Sequence, residues 1–167
     1  MIKTFIIAAL SADGFIAQNP SIPSTRWTSK EDTQKFVELT KRAGVVIMGS
    51  KTFETFGKPL KDRKNIVLSR DVTKKYEGVE TTQESPQALI TRLEQEGFKE
   101  VAICGGASIY SLFLETGLVD TVYLTIENIF FGKGISLFSK NHDTKLKLVE
   151  HTRLGENALL LEYQVLK

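Results

Sequence analysis

The sequence predicts an α/β fold: a mostly parallel, twisted central sheet flanked by helices, closed by a C-terminal antiparallel hairpin. Two observations predict it. Short apolar runs rich in Val and Ile alternate with capped amphipathic stretches, the pattern of parallel strands joined by right-handed crossovers. The C-terminal stretch instead holds two alternating runs on either side of Gly155-Glu156-Asn157, which is hairpin spacing. No repeat, low-complexity segment or linker interrupts the pattern, so residues 1–167 are expected to form a single domain.

Each element has its own signal. "KTFIIAAL" is an apolar run with β character. "RWTSKEDTQKFVELT" opens a helix, with Thr28 or Ser29 as cap and Glu31 three residues after Thr28, as a capping box requires. Helical steps from Asp32 reach Phe36, Leu39, Thr40 and Ala43, the apolar side, whereas Glu31 leads to Lys35, Glu38 and Arg42, the wet side. "GVVIMGS" is a buried strand, "SKTFETF" a short helix, "NIVLSR" a strand and "VETT" a weak one. "SPQALITRLEQEG" is a helix with Ser85 as cap, Pro86 in the first turn and Gly97 as terminator. "VAICGG" is a strand, "ASIYSLFLETG" a helix and "DTVYLTIEN" a strand before the closing hairpin.

Composition narrows the function classes. Hydrophobic residues make up 41% and charged residues 25%, enough for an ordinary globular core. A net charge of +2 with interspersed signs leaves no basic stripe for nucleic acid. No apolar run has the length of a membrane span. "FIIAALSADGFIA" reads as a buried first strand rather than a signal peptide, because Asp13 interrupts it and only Lys3 precedes it. The single cysteine, Cys104, rules out an internal disulfide and is compatible with a cytoplasmic protein. His142 and His151 stand far apart in polar contexts, so no metal site is expected.

In open α/β sheets, ligands bind beyond the carboxyl ends of the strands. Two strands end in small-residue turns that run into helices, Gly49-Ser50-Lys51-Thr52 and Gly105-Gly106-Ala107-Ser108. Free backbone N–H groups at such turns attract phosphate, and a pair of them suits a dinucleotide. Each also reads as a plain tight connection. "LSR", Leu68 to Arg70, offers a hydroxyl and a guanidinium for a further phosphate, or is a solvated turn. Asp32 is either a helix-capping acid or a functional one sharing a face with Phe36.

These residues together resemble the dihydrofolate reductases. "GSKTFETFGKPLKDRKNIVLSR" is similar to the family's stretch from second to third strand. "WTSKEDTQKFVELT" resembles its first helix, "CGGASIY" its Gly-Gly-x-x-x-Tyr and "YLT" its Leu-Thr strand. A second likeness runs through "SADGFIA", "WTSKED", "GLVD" and "GKGISLF", which look like the reductase domain of riboflavin biosynthesis. Both relatives imply a dihydrofolate reductase-like fold and NADPH as cofactor.

The resemblance implies roles. Asp32 would be the only ionisable group in the pterin pocket, with Thr125 hydrogen-bonded to it and Trp27 completing the catalytic group. Ile7, Ala9, Phe36, Phe56 and Leu60 would line the substrate site, and Arg63 would clamp the α-carboxylate of the folate tail; without the family motif Arg63 reads as a surface loop charge. Ala9 and Ile16 would flank the nicotinamide. Gly49, Ser50, Lys51 and Thr52, with Cys104, Gly105, Gly106, Ala107, Ser108, Ile109 and Tyr110, would hold the phosphates and the adenosine side. Leu68, Ser69 and Arg70 would meet the 2′-phosphate. Some positions depart from the family. Ser29-Lys30-Glu31 replaces Leu-Pro before the acid, Thr33 replaces an apolar residue, and Ser50 replaces a usually basic one. "AQNPSIPSTR", Ala17 to Arg26, is the expected mobile loop over the nicotinamide. Three functions follow: a dihydrofolate reductase, a riboflavin-pathway pyrimidine reductase, and a nucleotide-binding module without chemistry, against which the retained Asp32 argues.

Overall fold

The computed structural model describes residues 1–167. In chain order the elements are β1 (Lys3–Leu10), β2 (Phe15–Ala17), a 3-10 turn at Ser24–Arg26, α1 (Lys30–Ala43), β3 (Val45–Gly49), α2 (Ser50–Phe56), β4 (Lys64–Leu68) and β5 (Glu80–Thr82). There follow α3 (Pro86–Gln95), β6 (Glu100–Ile103), α4 (Ala107–Glu115), β7 (Thr121–Ile126), β8 (Ile135–Ser136), β9 (Leu146–Leu154) and β10 (Ala158–Val165). The main sheet has eight strands in the order β5-β4-β3-β6-β1-β7-β10-β9. β5 through β7 pair in parallel, and β10 and β9 add the antiparallel edge. The expected fold class is therefore present.

Helices cover both faces, which is why the parallel strands read as unbroken apolar runs rather than alternating ones. Successive residues of one strand serve two cores. Ile6 and Ala8 of β1 join Val45, Ile47, Val101 and Ile103 against α3 and α4. Phe5 and Ile7 join Val46, Met48 and Ala102 against α1 and α2. β9 is the exception, exposed along almost its whole length.

Several boundaries differ from the sequence reading, for physical reasons. Ser29, not Thr28, caps α1, its hydroxyl accepting from Asp32 N at 3.2 Å. The Thr28–Glu31 capping box is replaced because Ser29 is itself held by a distant residue, Glu127. β6 ends at Ile103, before the glycines, and β4 ends at Leu68, leaving Ser69 and Arg70 beyond it. β2 and β8 form a separate two-stranded sheet that the sequence reading lacks. It joins "SADGFIA" to "GKGISLF", two segments too short for a periodicity signal. Asp13 supports it by accepting from Ser11 Oγ at 2.7 Å, Phe131 N at 3.1 Å and Gly132 N at 2.7 Å.

Candidate active site

The carboxyl ends of β1, β3, β4 and β6 and the first turns of α1, α2 and α4 open on one cleft of about 1540 Å³. Its wall includes every expected site residue except Trp27, Thr125 and Gly105. Trp27 packs edge-on against Phe131, ring centroids 5.0 Å apart. Thr125 is only 3% exposed and stands behind Asp32. Gly105 shapes the wall from behind, its carbonyl accepting from Gly49 N at 2.8 Å.

Asp32 sits half-buried in the first turn of α1. Burial pushes its carboxyl above the usual carboxylate range. The Thr125 hydroxyl works against that rise, and the negative charge of Glu127 adds to it. Along α1, Phe36 faces Phe56 of α2 across the cleft, rings nearly parallel at 6.3 Å between centroids. One turn further, Thr40 accepts from Arg63 Nη1 at 2.7 Å, and Lys61 O accepts from Arg63 Nε at 2.8 Å. Arg63 has no carboxylate partner in an ion pair, and burial lowers its pKa. An Asp32-to-Thr40 separation of eight residues spans about 12 Å of helix. An acid and an unpaired guanidinium thus stand at two ends of an apolar slot.

The loop that presents Arg63 is shaped by Asn65, to which the sequence analysis gives no role. Asn65 is buried, accepts from Leu60 N at 2.9 Å, and donates to Leu60 O at 2.9 Å and Arg63 O at 2.8 Å.

The other half of the cleft is built from the two glycine turns. A Cβ on Gly105 would lie 2.9 Å from the Tyr110 ring, and the residue has φ +101°. One on Gly106 would meet Thr52 Oγ1 at 3.3 Å, and one on Gly49 would meet Ile109 at 3.2 Å. Tyr110 in turn donates to Ile7 O at 2.7 Å and ties α4 to β1. Cys104 is buried, its thiol pushed up to about 12; it is wall, not nucleophile. Ser69 and Arg70 also line the cleft, and Arg70 forms no ion pair with an acid. The Ala17–Arg26 segment overhangs the cleft through Pro20, Ile22 and Pro23, with Pro20 O accepting from Thr55 Oγ1 at 3.4 Å.

Glu127 is the residue that sequence reasoning missed. It is 1% exposed, just beyond β7, and its Oε1 accepts from Ser29 N at 2.8 Å and Ser29 Oγ at 2.7 Å. The one available signal was an acid directly following the apolar run "VYLTI".

The dihydrofolate reductase family model matches residues 3–163. Dihydrofolate reductase type 3 of Salmonella typhimurium is 36% identical over 120 residues, covering 72% of this chain and 68% of the relative. Among solved structures, a pyrimidine reductase-like protein from Corynebacterium diphtheriae superposes with a TM-score of 0.80 at 19% identity, covering 99% of this chain and 92% of that one. Dihydrofolate reductase from Enterococcus faecalis, complexed with NADP(H), gives 0.74 at 22% identity, with 98% and 96% covered. The two structural likenesses bear on the fold; the sequence match over nearly the whole chain bears on descent. On that match the chain belongs to the dihydrofolate reductase family.

Proposed function

We propose that the chain reduces 7,8-dihydrofolate to 5,6,7,8-tetrahydrofolate with NADPH. The observation that carries this reading is the slot along α1, with Asp32 at one end and the unpaired Arg63 at the other. A pterin fits the Asp32 end, where a carboxylate pairs with the ring's amino and N–H groups. The aryl ring fits against the apolar wall formed by Phe36, Phe56 and Leu60. The tail carboxylate fits Arg63, whose planar fork suits it. Asp32, with its raised pKa, favours protonation at N5 near neutral pH, through water.

The glycine turns fit the cofactor. Glycine at 49, 105 and 106 lets these turns pack closely against Ile109, Tyr110 and Thr52, and Gly106, Ala107 and Ser108 at the start of α4 line the cleft, where helix N-terminal N–H groups suit phosphate. Gly49 to Thr52 and Gly105 to Tyr110 would hold the phosphates and the adenosine side, and Ser69 and Arg70 the 2′-phosphate. NADPH supplies the hydride for C6 of the pterin.

A second reading, reduction of 5-amino-6-(5-phosphoribosylamino)uracil, is favoured by the β2–β8 sheet. Ile16, Ala17 and Ile135 of the segments that resemble the riboflavin-pathway enzymes form part of the cleft rim. The deciding experiment measures NADPH oxidation with each substrate separately. Turnover of the pyrimidine without turnover of dihydrofolate would replace the first reading with the second.

A further inference from the structure

Glu127 is a carboxylate where a fold needs none. It is 1% exposed and forms no ion pair with Lys, Arg or His. A buried, unpaired charge is costly, and a neutral amide in its place would serve equally well as acceptor for Ser29. Its position suggests a different use. Glu127 Oε1 accepts from both Ser29 N and Ser29 Oγ, and Ser29 Oγ accepts from Asp32 N. The acid thus reaches the first turn of α1 through a two-bond chain that ends on the residue bearing the site's carboxyl group.

We infer that Glu127 is a positioning residue for Asp32: through Ser29 it fixes the turn that aims the Asp32 carboxyl, and it couples to that carboxyl as a neighbouring acid. This rests on the proposed role of Asp32 in protonating the substrate. The groups that face Asp32 are few. Thr125 approaches from β7, Glu127 from just beyond it, and Tyr110 from α4. Of these Glu127 is the one acid, and it acts on Asp32 in the direction of holding the proton. Arg63, on the same cleft, has Cys104 and Asp62 as its charged or titratable neighbours. Glu31, next to Asp32 in sequence, is exposed and turns towards the hairpin at Gly155.

The test is Glu127→Gln, which keeps an acceptor for Ser29 and removes the charge. The Asp32 carboxyl is titrated by carbon NMR in the ligand-free protein, and turnover of dihydrofolate is measured against pH. The expected result is an Asp32 midpoint at lower pH than in wild type. Turnover at neutral pH should fall roughly 10-fold, the scale of one neighbouring like charge, and recover towards wild type as the pH is lowered. The Michaelis constant should stay close to wild type. An Asp32 midpoint unchanged in Glu127→Gln overturns the inference. Ser29→Ala provides the second arm, since it keeps the charge and breaks the hydroxyl link. It should lower the melting temperature and leave the Asp32 midpoint in place; a midpoint that falls there as well would assign the effect to hydrogen bonding and overturn the role of charge. If wild type proves inactive on dihydrofolate while the midpoint still moves in Glu127→Gln, the folate reading fails and the coupling of Glu127 to Asp32 stands.

Discussion

Arg63→Leu separates recognition of the folate tail from everything else Arg63 does. In the structure Arg63 gives one hydrogen bond to Thr40 Oγ1 and one to Lys61 O. Neither loss leaves a buried orphan. Thr40 Oγ1 still donates to Phe36 O at 2.7 Å, and Lys61 O belongs to an exposed loop that water reaches. The stability cost should therefore stay within about 1 kcal/mol, the net value of an ordinary hydrogen bond. The binding cost is larger. Hydrogen bonds to a charged group are typically worth about 1.5–3 kcal/mol, so the Michaelis constant for dihydrofolate should rise roughly 10- to 100-fold. Turnover should change little, because the carboxylate lies far from the reacting carbon. Arg63→Lys should fall between, since an ammonium keeps the charge and loses the fork. Steady-state NADPH oxidation with dihydrofolate, and in parallel with a pterin lacking the glutamate tail, gives both constants. An unchanged Michaelis constant for dihydrofolate, or an equal loss with the tail-less pterin, would refute the assignment of Arg63 to a tail carboxylate.

Other outcomes follow from the same geometry. Asp32→Asn should lower turnover at neutral pH by at least about 100-fold, and near-normal rates in that variant would leave Asp32 without a catalytic role. Because burial raises the Asp32 pKa above its ordinary 3.8, the native state holds that proton more tightly than the unfolded chain. That contribution to stability is fully present below the unfolded value and is lost as pH rises through the folded one. The melting temperature of Asp32→Asn should therefore gain on wild type across this window; a pH-independent difference would remove burial as the cause. Arg70→Ala should lower affinity for NADPH about 10-fold and spare NADH, with calorimetry as the check and equal losses for both as the contrary result. Gly105→Ala forces an alanine to φ +101° and its methyl against the Tyr110 ring. It should cost at least about 1–3 kcal/mol in denaturant unfolding, and wild-type stability would contradict the close approach.

The parallel strands were legible because both their faces are buried, so "FIIAAL" and "VVIM" carry an unbroken apolar signal. Asp32 was legible for a related reason: its helical partners Phe36, Leu39 and Ala43 mark the face that turns inward. Glu127 was not. An acid at a strand end ordinarily reads as a solvated terminus, and the partner that buries it, Ser29, lies far away in the sequence. The same contact decided between Thr28 and Ser29 as cap, a choice that local propensity leaves open. Asn65 was hidden likewise, since its three hydrogen bonds all go to loop backbone within five residues, where an Asn is ordinary turn chemistry. β2 and β8 escaped notice because three residues and two carry no period.

The central place of β1 in the sheet has a consequence for how the chain is made. β1 lies between β6 and β7, yet neither neighbour begins before residue 100. On a ribosome adding about 5–20 residues per second, the first strand waits on the order of 5–20 s for a partner. During that time "TFIIAAL" is an apolar segment with two open edges, the kind that pairs with other chains. β3 and β4, adjacent in sequence and in the sheet, can pair early, but the core on either side of them closes only when β1 is enclosed. Nascent chains stalled before β6 should therefore be held by chaperones or aggregate. A circular permutant that opens the β3–β4 half and joins the natural termini would bring β1 out next to β10 and shorten that exposure.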